Sequence, residues 1–119
     1  MKVLITGGSR GIGLATLKKF KQEGHNCTIL SRNKPEFELD NIQHLKVDLS
    51  SNESVSEAYE TICASEFDIL INNAGINKIG TIDQHTTETI TEVIQVNSLS
   101  HIKIIQACVP HMKKQKFGR

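Results

Sequence analysis

The stretch Lys2-Val3-Leu4-Ile5-Thr6-Gly7-Gly8-Ser9-Arg10-Gly11-Ile12-Gly13 decides the fold. Its first five residues have the apolar, β-branched character of a strand. Glycines then stand at 7, 8, 11 and 13, and a helical pattern runs on to about Glu23, with apolar Ile12, Leu14, Ala15, Leu17 and Phe20. A strand that passes through such a loop straight into a helix is a phosphate-binding arrangement. Gly7 can take a backbone turn that a side chain would block. Gly11 lets the main chain approach a pyrophosphate, and Gly13 lets the helix pack close to the strand. The helix start then offers free N–H groups and partial positive charge to the anion. Taken alone, the loop also fits a helix start with turn glycines and no ligand. Residue types exclude a nucleotide-triphosphatase P-loop, because no Gly-Lys-Ser/Thr ending is present, and the spacing departs from Gly-x-Gly-x-x-Gly.

Outward from this stretch, strands and helices alternate. Lys18, Lys19 and Lys21 suit the negative end of the first helix, and Gly24 stops it. Asn26–Ser31 reads as a second strand, Arg32–Asn41 as a loop with about one helical turn, and Gln43–Val47 as a third strand. Ser50 with Glu53 fits a capping box. The helix that follows puts Val55, Ala58, Tyr59 and Ile62 on one face. Asp68–Asn72 is a fourth strand and Asn73-Ala74-Gly75 a turn. Thr86 to Lys116 is helical, as two helices or one bent one, with Val93, Val96, Leu99, Ile102, Ile105, Cys108 and Met112 at helical spacing. Pro110 is expected to kink it. Short connections between alternating elements imply parallel βαβ units in a doubly wound α/β sheet, three layers thick and Rossmann-like. The glycine loop then opens at the carboxyl edge of the sheet, where ligands bind.

Composition narrows the rest. The 119 residues amount to one domain. With 14 basic and 13 acidic residues the net charge is +1, which gives no electrostatic reason for a nucleic-acid partner. The longest apolar runs, such as Val3–Ile5 and Ile69–Ile71, fall far short of the ~20 residues of a membrane helix. Met1–Gly7 does not read as a signal peptide, so the matches to the glycosylation pattern at Asn26 and Asn52 are read as chance. Cys27, Cys63 and Cys108 are odd in number and form no Cys-x-x-Cys pair, and reduced thiols in a cytoplasmic protein are expected. His101, Cys108 and His111 span too much helix for one metal to join all three.

The chain resembles the short-chain dehydrogenase/reductase family. The residues that carry the resemblance are Thr6-Gly7-Gly8-Ser9-Arg10-Gly11-Ile12-Gly13, Val47-Asp48-Leu49, Asn72-Asn73-Ala74-Gly75 and Val96-Asn97, in the family's order and spacing. The likeness covers essentially the whole chain. It implies an NAD(P)-binding domain over residues 1–119 that binds its cofactor through Gly7, Ser9, Arg10, Gly11, Ile12 and Gly13. Asp48 would accept from the adenine amino group, with the Leu49 main chain against the ring; without the resemblance Asp48 reads as a helix-entry acid. Asn73, Ala74 and Gly75 would line the cofactor. Asn97 would bend a helix and hold a water in the proton relay; an exposed Asn at a helix break is the plainer reading.

The end of the second strand selects the cofactor. An NAD site usually has a carboxylate there, whereas this chain has Leu30-Ser31-Arg32-Asn33. Ser31 and Arg32, with Arg10 from the glycine loop, suit a 2′-phosphate, so NADP(H) is expected over NAD(H). Solvated surface charge is the other reading of the two arginines.

The family's serine, tyrosine and the lysine four residues after that tyrosine are not found. Tyr59 is the only tyrosine, four residues before Cys63 and on a core face. The last residues, Phe117-Gly118-Arg119, look like the entry to a fifth strand. Ile69-Leu70-Ile71 also reads as an interior strand needing a neighbour on each side. The chain is thus expected to be the incomplete, cofactor-binding half of a sheet truncated after its fourth strand and following helices. The resemblance implies an oxidoreductase acting on a small carbonyl or alcohol by hydride transfer, homo-oligomeric at full length. A non-catalytic NADP-binding or regulatory module, or an inactive fragment, is the alternative.

Overall fold

The computed structural model describes residues 1–35 and 42–119. Strand β1 (Lys2–Thr6) leads into helix α1 (Gly11–Gln22), followed by β2 (Asn26–Ser31), β3 (Gln43–Lys46), α2 (Asn52–Ser65) and β4 (Ile69–Asn72). A short 3₁₀ turn at Ile82–Gln84 precedes α3 (Thr87–Ile94), a π turn (Gln95–Leu99) and α4 (Ser100–Lys114). The four strands are parallel in the order β3-β2-β1-β4. This is the first half of the doubly wound order.

The central strand explains the layering. Val3, Leu4 and Ile5 are all fully buried, as a parallel strand covered on both faces must be. Val3 and Ile5 pack with Leu17 of α1 and with Cys27, Ile29 and Ile69. Leu4 points the other way, into a larger core with Leu30, Val47, Val55, Ile62, Val96 and Ile104, beneath α2 and α4. Tyr59 packs at the margin of that core. Burial also pushes the Cys108 thiol up to about 11, so this cysteine is an inert packing group.

Two local expectations are corrected. The cap of α2 is Ser51, whose hydroxyl accepts from Ser54 N at 3.1 Å; Ser50 is occupied with Asp48 instead, its hydroxyl donating at 2.7 Å. Helix α4 continues through Pro110, and the interruption of the C-terminal helical run is the π turn at Gln95–Leu99. The apolar stripe Leu99, Ile102 and Ile105 is about half exposed, while Ser100, His101, Ile104, Ala107 and Cys108 face inward. The π turn explains this difference: it adds a residue to the helical repeat, so a spacing counted across it loses phase. The loop reading of Arg32–Asn41 falls partly on residues 36–41, outside the described residues.

Asp68 closes the amino end of the sheet. Its carboxylate accepts from Lys2 N at 2.8 Å and from Gln115 Nε2 at 2.8 Å, with His111 Nε2 3.5 Å away. Its carbonyl accepts from Arg119 N at 3.2 Å, and Leu70 N donates to the Arg119 carbonyl at 2.8 Å, the pattern of a parallel bridge along the outer side of β4. The bond from Lys2 N, then that from Gln115, holds the Asp68 carboxyl below its ordinary range. A carboxyl depressed in the folded state contributes stability that is complete above its unfolded value, near pH 4, and lost as pH falls through the lower folded value. We therefore expect Asp68→Ala to cost about 1–3 kcal/mol at neutral pH. Denaturation midpoints measured from pH 6 downward should fall less steeply below pH 4 in the variant than in the wild type.

Candidate nucleotide-binding site

The glycine loop adopts the conformations its composition requires. Gly7 and Gly11 have φ of +68° and +55°, a region closed to most side chains. A Cβ on Gly13 would stand 2.3 Å from the Gly7 carbonyl oxygen and 2.4 Å from Asn73 Nδ2, so only glycine lets α1 begin this close to β1. Nothing lies within 4 Å of a Cβ built on Gly11. Arg10 caps α1 with extended backbone and no side-chain bond, and no acid occupies the first turn. The opening N–H groups of the helix have no intrahelical acceptor, and Gly11 and Ile12 at that helix start border a cleft, the arrangement that suits a pyrophosphate.

Asn73 and Thr6 join this loop to the end of β4. The fully buried Thr6 hydroxyl accepts from Asn73 N and Ala74 N, each at 3.0 Å. In return Asn73 Nδ2 donates to the Thr6 and Gly7 carbonyls at 3.0 and 3.1 Å. The segment Ala74-Gly75-Ile76 is gripped from its far side by the C-terminal helices. Asn97, within the π turn, accepts from Ile76 N at 2.9 Å and donates from Nδ2 to the Ile76 carbonyl at 2.8 Å. His101 Nε2 donates to the Ala74 carbonyl at 2.8 Å, and its Nδ1 lies 2.9 Å from the Asn72 side-chain amide. The buried Ser100 hydroxyl lies between the Leu49 and Gln95 carbonyls at 2.6 and 2.7 Å.

These pieces surround a cleft of about 590 Å³ at the carboxyl ends of the strands. Gly7, Ser9, Arg10, Gly11 and Ile12 line it after β1, with Asp48 and Leu49 after β3 and Asn73, Ala74 and Gly75 after β4. Ser31, Arg32, Asn33 and Lys34 form its far corner. A cavity of similar size, about 600 Å³, lies at the strands' amino ends, lined by Lys2, Asn26 and Phe67 among others. It contains no glycine loop and no helix start, so the carboxyl-end cleft is the candidate. Gly13 lies behind that cleft as packing. Asn97 bonds to the lining residue Ile76 by both ends of its amide. Ile12 is 80% exposed rather than part of the core face, an apolar side chain at the cleft mouth.

Charge in the cleft is sorted. Asp48 Oδ1 accepts from the Ser50 hydroxyl at 2.7 Å and from Ser50 N at 2.9 Å. These bonds, the hydroxyl's first, with the positive charge of Arg32, hold the Asp48 carboxyl below its usual range. It is ionised at neutral pH and an acceptor only. Among the described residues, neither Arg10, Arg32 nor Lys34 has a carboxylate within ion-pair distance. Ser31 turns its hydroxyl to the Asn33 carbonyl at 2.7 Å, so it shapes the corner.

Sequence reading passed over Gly8, Ser100 and His101 as site components. A Cβ on Gly8 would stand 2.5 Å from Ile29, which fixes the loop on β2. Ser100 and His101 carried a signal, being adjacent polar residues inside an otherwise apolar-periodic run.

The family model of the short chain dehydrogenases matches residues 1–119, and the chain belongs to that family. The 3-oxoacyl-[acyl-carrier-protein] reductase MabA of Mycobacterium avium is 32% identical over 119 residues, 98% of this chain and 46% of the relative. The short-chain dehydrogenase of Sphingobium yanoikuyae, solved with NADPH, superposes with a TM-score of 0.86 at 25% identity, covering 98% of this chain and 50% of that one. The 4-hydroxyisoleucine dehydrogenase solved with NADH shares the fold with a TM-score of 0.86 at 24% identity, over 98% of this chain and 51% of its own. The chain thus spans about half the length of the relatives it matches.

The Thr6 hydroxyl is the junction of the site. Thr6→Val, nearly the same in shape, would leave the half-buried N–H groups of Asn73 and Ala74 without their acceptor, at up to about 1–3 kcal/mol each before relaxation. We expect a stability loss of about 2–4 kcal/mol by chemical denaturation, with Thr6→Ser retaining most of the wild-type value.

Proposed function

We propose that this chain is the cofactor-binding portion of an NADP(H)-dependent short-chain oxidoreductase that reduces a carbonyl or oxidises a secondary alcohol. The observation that carries the cofactor reading is the corner after β2, where Ser31-Arg32-Asn33-Lys34 offers two cations and no carboxylate. Arg10 lines the same cleft. A ribose 2′-hydroxyl is recognised by a carboxylate at this place, a 2′-phosphate by cations. Arg32 can offer the phosphate two parallel N–H groups. Ser9, Gly11 and Ile12 then present main chain to the pyrophosphate, with Gly7 and Gly13 shaping the turn. Asp48, whose Oδ2 has no partner among the described residues, would accept from the adenine amino group above the Leu49 main chain. Asn73, Ala74 and Gly75 would form the wall along the second nucleotide.

Bound nicotinamide supplies or accepts the hydride in this chemistry. The chain's own contribution is to bind and orient the nucleotide and to hold Ala74–Ile76 still beneath it. Asn97 and His101 do the holding. The water-relay role that the resemblance implies for Asn97 is part of this proposal, and its amide contacts with Ile76 would fix the helix that carries it. The serine, tyrosine and lysine of the family chemistry are not supplied by these residues; Tyr59 lies beneath the sheet against the core.

Titration of the chain with NADPH and NADH, followed by nucleotide fluorescence at one salt concentration, tests the reading. NADPH should bind at least about tenfold more tightly, the worth of one charge-assisted pair. Arg32→Asp should reverse that order. NADH binding as tight as NADPH in the wild-type chain would overturn the proposal.

A further inference from the structure

His44 in β3 is absent from every role assigned above, yet it holds the corner that carries the cations. The Ser31 hydroxyl spends its single hydrogen on the Asn33 carbonyl, at 2.7 Å, and folds Ser31–Asn33 into a tight turn. His44 Nε2 stands 3.2 Å from that same hydroxyl oxygen and 3.1 Å from the Ser31 carbonyl oxygen. Neither oxygen has a hydrogen left to give, so the network assigns the proton to Nε2, which donates to both. The Ser31 carbonyl also accepts from Val47 N at 3.2 Å. The last residue of β2 is therefore fixed by its strand neighbour, its own turn and a side chain reaching across from β3. His44 is itself half-buried.

What this fixes is a direction. Arg32 and Lys34 are long and exposed, with no partner carboxylate among the described residues, so holding either against a ligand costs rotamer entropy. The protein can lower that cost by fixing the backbone from which both side chains start. Resting on the NADP(H) reading, we propose that His44 is a specificity-positioning residue, whose Nε2–H holds the Ser31 turn so that Arg32 and Lys34 are directed at the 2′-phosphate. An NADH molecule has nothing for that corner to hold, so the contribution belongs to the phosphate alone.

Calorimetric titration of the whole chain with NADPH and NADH tests this. His44→Leu should loosen NADPH about three- to tenfold, the worth of about one hydrogen bond, and leave NADH unchanged. His44→Gln keeps a donating nitrogen on a flexible stem and should restore most of the preference. In an Arg32→Ala/Lys34→Ala background, His44→Leu should add little, because both side chains through which it acts are then gone. Equal loss of both nucleotides in His44→Leu, or an unmoved NADPH-to-NADH ratio, would overturn the inference while leaving the NADP(H) reading intact. A wild-type chain without NADPH preference would overturn both. If His44→Leu does not fold, His44→Asn, which lacks the reach, replaces it with the same expectations.

Discussion

One buried hydroxyl holds the carboxyl edge of this sheet together. Thr6 ends β1, and its oxygen receives the main-chain N–H groups of Asn73 and Ala74 just past the end of β4. Asn73 answers by donating to the Thr6 and Gly7 carbonyls. Neighbouring strands in a parallel sheet have no ladder partner beyond their ends, and their loops would diverge there. The Thr6–Asn73 exchange instead binds two loops 66–68 residues apart into one rigid wall. Threonine suits the task because its β-branched shape keeps the strand geometry while its oxygen satisfies donors that would otherwise be left unpaired. Gly13 follows from the same contact: with Asn73 Nδ2 seated against the Gly7 carbonyl, no space remains for a side chain where α1 begins.

The second wall depends on a helix that is irregular on purpose. Asn97, Ser100 and His101 all reach main-chain groups around the cleft: Ile76, Leu49 and Ala74 respectively. The π turn that contains Asn97 widens the helix locally, and α4 resumes with its buried face advanced by a residue. That shift brings Ser100, His101 and Ile104 inward and leaves Leu99, Ile102 and Ile105 half exposed. A regular helix with the Val96–Leu99–Ile102 stripe buried would turn the two polar residues out of the site.

This phase shift also marks the boundary of what the sequence discloses. The strand order, the glycine loop and the residues of the cleft are legible because each depends on neighbours in the chain: a strand read by apolar content, a turn by glycine, a helix by periodicity. The π turn is not legible, since one inserted residue resembles ordinary periodicity until the burial is known. Pro110 does not end α4, which stays helical through it, packed against α2 and the sheet. Ser50 and Ser51 are adjacent and chemically identical, so their division of labour is set by Asp48, whose carboxylate takes the first and leaves the second to cap α2. His44 lies thirteen residues from Ser31 and is brought to it only by the register of β2 on β3; no local pattern could announce it.

The cleft's electrostatics follow from the same arrangement. The whole chain carries a net charge of only +1, so any strong field must come from local sorting. Arg32 lies close enough to Asp48 to favour its ionised form, without an ion pair between them. Ser50 takes one carboxylate oxygen and thereby fixes the direction of the other. On the proposed reading, the two groups serve opposite ends of one adenosine: a carboxylate for the amino group, a guanidinium for the phosphate on the ribose. A true Asp48–Arg32 salt bridge would satisfy both charges internally and leave neither for a ligand. Separation by the Ser50 bonds on one side and the proposed His44-held turn on the other keeps each charge oriented and available, which is the condition a nucleotide site has to meet before any nucleotide arrives.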